Sequence, residues 1–267
     1  MVMLKTLRSP LYLALLIPAL LALAGNWLIP VDHMFLNIRS KYGKHEAPQS
    51  IVVVTIDGNQ NDPDGSVVTT RNLARILDDV RRQVPYRVFI DAPVNYGQDK
   101  TGDSALVEAI NSLKPDVSFI ARNSEIMRDS EGLNVEKLQL PIPELSKSVP
   151  VVISSWSSNF VNFATSTPYN FRINGHTYQS LASALAEVDG GLQKTFRPDY
   201  LLDPDSIIKI RASALQSGRV TPGLLSGRTV IVAFEGPTPQ LGFYGSARRH
   251  PLDLDIAGAS ALTKTFA

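Results

Sequence analysis

The sequence predicts an α/β domain with a central, mostly parallel sheet, helices on both faces and an antiparallel edge, preceded by one N-terminal transmembrane helix. Three observations carry this expectation. IVVVTIDG, Ile51 to Gly58, and YRVFIDAP, Tyr86 to Pro93, are apolar runs rich in β-branched residues, each ending on an aspartate. A strand wetted on one face would alternate polar and apolar residues, whereas Ile51 to Ile56 offers only Thr55 as relief, so both faces are expected to be covered. Between the runs, RNLARILDDVRRQV repeats Leu73, Ile76, Leu77, Val80 and Val84 at helical spacing, which completes a strand, helix, strand unit.

The third observation lies at the N-terminus. Lys5 and Arg8 precede a run from Leu11 to Val31 in which Asn26 is the only strongly polar residue. As a helix at ~1.5 Å per residue it spans about 30 Å, the thickness of a bilayer core. Cations before it and Asp32 after it place the N-terminus inside and the rest outside, with Trp27 as an interfacial anchor. Residues 1–9 are then a cytoplasmic N-terminus, 10–31 a transmembrane anchor and 32–267 an extracytoplasmic domain on the periplasmic side of an inner membrane. The competing reading is a cleaved signal peptide ending at Ala22-Leu23-Ala24; continued apolarity through Trp27, Leu28 and Ile29 favours the anchor. Export follows either way.

In chain order, DHMFLNIR gives a short helical stretch and KYGKHEAPQS a polar linker before the first strand. GNQNDPDGSVVTT is a loop, with Thr69 or Thr70 capping the helix that starts near Arg71. After the second aspartate, PVNYGQDKTG is a loop and Asp103 is expected to cap a helix carrying Leu106, Val107, Ile110 and Leu113. DVSFIARN is a third strand. The stretch from Ser124 to Ser148, with Pro141 and Pro143, reads as a surface excursion with at most a helical turn. VVISSW, FVNFAT and YNFRING read as strands forming the antiparallel edge. YQSLASALAEV sets Tyr178, Leu181, Ala182, Leu185 and Val188 on one helical stripe, stopped by Gly190-Gly191. Ile207 to Ile210 is a strand followed by a short helix, Gly227 to Phe234 a buried strand, and Leu252 to Phe266 a final helix.

Composition narrows the function. Lys plus Arg, 26, nearly balance Asp plus Glu, 25, so no global field draws nucleic acid. The absence of cysteine excludes disulfides, thiolate nucleophiles and cysteine zinc sites. His33, His45, His176 and His250 show no metal-ligand spacing, and no cofactor or metal is implied. There is no Gly-x-Ser-x-Gly elbow, phosphate loop, Gly-x-Gly-x-x-Gly or His-Glu-x-x-His. No catalytic residue is therefore assigned.

Asp57 and Asp91 are the sharpest pair, read as ending neighbouring strands on one sheet edge, where two carboxylates can hold a hard cation or do acid and base work. Strand-end aspartates more often cap a turn or receive an arginine, and Arg71, at the start of the intervening helix, is placed to reach either one. Asp57, Arg71 and Asp91 together are the expected ligand-binding residues.

The order of these marks resembles that of the cyclase- and histidine-kinase-associated sensory extracellular (CHASE) domain of the second type: a membrane segment, Asp32 and Arg39 in DHMFLNIR, IVVVTIDG, the helix led by Arg71, VFIDAPV, DSALVEAI, YNFRING, YQSLASALAEV and LLSGRTVIVAF ahead of a last helix. GSVVTTR stands where the family shows a Trp-Pro-Trp-Pro-like cluster, and Ala233-Phe234 where it shows a glycine. The resemblance implies an extracytoplasmic sensory module of a bacterial transmembrane receptor, responding to a small-molecule or protein signal, able to form a homodimer, and feeding an output enzyme such as a cyclase, diguanylate cyclase, phosphodiesterase or kinase. Two other readings stand beside it: a membrane-anchored metal-dependent hydrolase using Asp57 and Asp91, and a structural partner of another envelope protein.

Overall fold

The computed structural model describes residues 43–57, 68–128, 134–140, 142–158, 164–173, 175–192, 194–235, 241–243, 246–249 and 251–266. The chain divides into two units; Met1–Lys44 with Tyr244–Ser246 lies almost wholly outside the described residues, and the other is His45–Phe243 with Ala247–Ala267. The predicted anchor, residues 10–31, and the predicted cytoplasmic residues 1–9 lie outside the described residues, as does DHMFLNIR. Among the described residues no helix is long and apolar enough to cross a membrane.

The first half of the unit comprises β1 (Ile51–Asp57), α1 (Thr70–Arg82), β2 (Arg87–Asp91), α2 (Lys100–Leu113), β3 (Val117–Arg128) and β4 (Asn134–Gln139). The second half runs through β5 (Val151–Ser154), β6 (Ser157–Ser158), β7 (Ala164–Pro168), β8 (Asn170–Ile173), β9 (His176–Gln179), α3 (Leu181–Ala186) and β10 (Thr195–Phe196). It ends with β11 (Ile208–Arg211), α4 (Ala212–Gln216), β12 (Thr229–Glu235) and α5 (Pro251–Phe266).

Six strands pair in parallel in the order β11, β1, β12, β2, β3, β5, and β4 runs antiparallel along the far half of β3. The apolar runs explain the layering. Val52, Val54 and Ile56 point to one face, where they pack with Leu73, Ile76, Leu77 and Val80 of α1 and Leu106 and Ile110 of α2. Ile51 and Val53 point to the other, with Leu181 and Ala182 of α3 and Leu254, Ala257 and Ala259 of α5. Each such side chain removed from water contributes about 1.5 to 3 kcal/mol, which is why period-two burial on both faces fixes the register. The α/β architecture expected from the sequence is present.

Several expected details differ. β12 lies between β1 and β2, with Val53 opposite Ile231 and Ile231 opposite Phe89, so the two aspartate-bearing strands are not neighbours. α2 begins a turn early because Asp99, not Asp103, caps it, accepting from the Thr101 N–H at 3.1 Å. Asp103 sits buried in the first turn and accepts from the Gly97 N–H at 2.9 Å. Thr69 does cap α1, accepting from the Asn72 N–H at 3.3 Å.

The expected surface excursion instead continues β3 to Arg128 and returns as β4, which supplies the antiparallel edge. Of the three segments expected to form that edge, VVIS is parallel to β3, the described part of FVNFAT belongs to a small separate sheet with β6 and β10, and NFRI pairs with β9 in a hairpin. That hairpin shortens α3: Tyr178 is a strand residue opposite Phe171, and the Ser180 side chain accepts from the Ser183 N–H, so the helix starts at Leu181, three residues later. The helix ends at Glu187, whose φ of 57° is left-handed, three residues before Gly190.

Candidate functional site at the carboxyl ends of the strands

β2 and β5 end on Asp91 and Ser154, and α5 starts across from them. Asp91, 6% exposed, is the last residue of β2. The neighbouring strand β3 runs on past the last shared pair, Ile90 opposite Phe119, and Arg122, three residues beyond Phe119, reaches back to it. Arg122 Nε donates to Asp91 Oδ1 at 2.9 Å and its Nη2 donates to Oδ2, a two-pronged pairing that uses both carboxylate oxygens. Burial pushes the Asp91 carboxyl up, and the guanidinium pulls it back in part.

Arg122 also faces Ser154 in the β3 and β5 register, and Ser154 passes the network to the last helix. Its hydroxyl donates to Asp255 Oδ2 at 2.5 Å, while Trp156 Nε1 donates to Oδ1 at 3.0 Å. Asp255 is 1% exposed, and burial pushes its carboxyl up to about 7. The two donated hydrogen bonds and the charge of Arg122 hold it lower than burial alone would, and the charge of Asp91 raises it. With Asp91 ionised, Arg122 charged and Asp255 protonated, the cluster is neutral, which is the state a buried site tolerates best. A second buried aspartate of the same helix, Asp253, accepts from Lys209 of β11 at 3.0 Å.

Of the three residues expected from the sequence, one lies in this network. Asp91 is at its centre. Asp57 ends β1 opposite Glu235 of β12, and its side chain lies outside the described residues. With β12 intervening, its strand is two spacings from β2, about 10 Å. Arg71 does not reach Asp91; its Nη2 stands 3.0 Å from Asp99 Oδ2, a surface pair worth about 0 to 1 kcal/mol.

Arg122, Ser154, Trp156 and Asp255 were not anticipated. The available signal was a charge inside an apolar run: an arginine after FIA in β3, and an aspartate between Leu254 and Ile256. Fully buried charges occur almost only in pairs or networks. Among the described residues no group of three His, Asp or Glu is placed to hold a metal ion.

The fold and the network define a parallel α/β domain whose polar centre is buried at the strand carboxyl ends, the edge where open α/β sheets take ligands. No protein-family model, curated protein or solved structure matches the chain.

Proposed function

We propose that residues 32–267 form the extracytoplasmic sensory or ligand-binding domain of a bacterial transmembrane signalling receptor, of the CHASE type-two kind, carried by the residue 10–31 anchor and without catalytic activity of its own. The observation that carries the reading is the network of the part-buried Arg122 with the buried Asp91 and Asp255, which joins the carboxyl edge of the sheet to the last helix. A buried ionic cluster is a weak source of stability, because desolvation offsets most of the attraction. It is a good source of alternatives: Arg122 pairs with Asp91 and acts through its charge on Asp255, and an anionic or polar ligand at the strand ends competes for the guanidinium and shifts α5 with it.

The hydrolase reading has less support. A cation bridging Asp57 and Asp91 requires Asp91 oxygens that both accept from Arg122, and catalytic spacing is absent from the sequence. The test is a thermal-shift screen of the full chain in lipid nanodiscs against pools of anionic and polar metabolites. A pool that raises the melting temperature of the wild type but not of Arg122→Gln supports the reading; no shift with any pool sinks it. Arg122→Gln alone is expected to cost about 3 to 5 kcal/mol in chemical denaturation, since it strands a buried carboxylate.

A further inference from the structure

His45 Nε2, Lys264 Nζ and Asp199 Oδ2 form a closed triangle. His45 to Asp199 is 2.7 Å, Lys264 to Asp199 is 2.9 Å and Lys264 to His45 is 2.6 Å. All three sides are hydrogen-bond lengths, yet no protonation state satisfies all three. With His45 neutral and its proton on Nδ1, which lies 3.0 Å from the Glu46 carbonyl, Lys264 bridges two acceptors and the histidine to aspartate side holds no proton. With His45 protonated, Nε2 donates to Asp199 and the lysine side becomes a contact between two cations.

The backbone decides which partner moves. The His45 N–H donates to the Leu201 carbonyl at 3.0 Å, and the Asp203 N–H donates to the His45 carbonyl at 2.8 Å, so the histidine is lashed to the segment that carries Asp199. Asp199 is itself held from two sides, its N–H donating to the Ala257 carbonyl and its Oδ1 accepting from the Leu201 N–H. Lys264, whose side chain is 56% exposed in the last turn of α5, is the member free to swing away. Ser260 Oγ, 3.4 Å from Asp199 Oδ2, is left as the helix's contact with that oxygen.

We propose that His45, Asp199 and Lys264 form a proton-operated clasp, in which acid transfers Asp199 Oδ2 from Lys264 to His45 and releases the last turn of α5. Among the described residues the charged groups bonded to the histidine ring are Asp199 and Lys264 of α5; Asp203 meets the histidine through its backbone N–H, and Lys44 and Glu46 flank it in the chain. Protonated histidine adds a charge next to lysine and gives the carboxylate a fixed donor, and the lysine loses the contest because its side chain, 56% exposed against 28% for His45, is the one with most solvent to move into. The clasp is independent of the sensory reading, since it concerns the hold of one segment on one helix.

The experiment uses the full chain in nanodiscs between pH 5 and 8. Amide exchange in the last turn of α5, corrected for intrinsic rates, is expected to rise roughly two- to fivefold as the pH falls across this range, the change that losing a half-exposed ion pair allows. In His45→Gln and in Lys264→Met the same amides should show no such step. Asp255→Asn, which removes the α5 carboxyl that burial pushes up to about 7, should leave it in place. Imidazole nitrogen shifts at pH 8 should report His45 with Nδ1 protonated and Nε2 bare. A pH-independent last turn in the wild type, a step that survives His45→Gln or vanishes in Asp255→Asn, or an Nε2-protonated tautomer at pH 8 would each overturn the proposal.

Discussion

Asp255 is the residue whose charge state the fold controls most tightly. Burial holds its carboxyl near 7 in the folded chain, about three pH units above the ordinary aspartate value of 3.8. Because the folded value is the higher one, the folded state binds the proton more tightly and protonation favours folding. The contribution is fully present below about pH 4, is lost as pH rises towards 7, and changes no further above that. It amounts to at most about 4 kcal/mol at 1.36 kcal/mol per unit. Chemical denaturation of wild type and Asp255→Asn at one-unit steps from pH 4 to 8 isolates it. The difference between the two should slope downward for the wild type up to about pH 7 and then level off; a flat difference would show that the carboxyl is not strained by its burial. The same residue shows where sequence reading stops. LDLDIAG alternates like a strand while it is a helix, and the two aspartates look like solvent-facing residues until α5 is seen to turn them against the sheet.

At the scale of elements, the position of α5 depends on a missing side chain. A Cβ on Gly258 would lie 2.9 Å from both the Ala182 Cβ and the far edge of the Trp156 ring, so α5 meets α3 and the residues after β5 at a spacing only glycine permits. Trp156 then stacks edge-on against Phe196 with centroids 5.9 Å apart, which closes that side of the core. Gly258→Leu is expected to push α5 outward and destabilise the full chain by about 2 to 3 kcal/mol or more. It should also weaken the Trp156 to Asp255 hydrogen bond, read as a change in tryptophan fluorescence; unchanged stability and fluorescence would mean the helix pair has slack there. The elements that were legible in the sequence are those with a strong local period: β1, β2 and β12 as apolar runs, α1 as a stripe with a threonine cap. β4 has no local signal, because NVEKLQ has four polar or charged residues of six and takes its strand conformation from pairing with β3, which lies outside any local window. Asp103 was expected as the cap because it directly precedes the apolar stripe, and only the fold shows that the extended backbone a cap needs lies four residues earlier, at Asp99.

For the molecule as a whole, strand order was the least legible property. β1, β2 and β3 follow one another in sequence with helices between, and that order alone gives a simple sequential sheet. The observed sheet opens between β1 and β2 to admit β12, a strand written some 140 residues after β2. Parallel pairing of this kind depends on complementary apolar surfaces far apart in the chain, and no turn or spacing announces it. The candidate site inherits the same limit: Asp91 was visible as a strand end, but its partners come from β3, β5 and α5. A chain ending at Ser226 lacks the central strand, and it is expected to show no cooperative unfolding transition and to aggregate; a sharp transition in that fragment would show that β12 is an accessory strand. The place of β12 also sets an order in time. Until residue 235 has been made and delivered, the facing edges of β1 and β2 have nothing to pair with, and each is an open template for any other extended segment. Such a chain has to be kept apart from its neighbours for most of its synthesis, and the last strand to join the central sheet closes it from the inside.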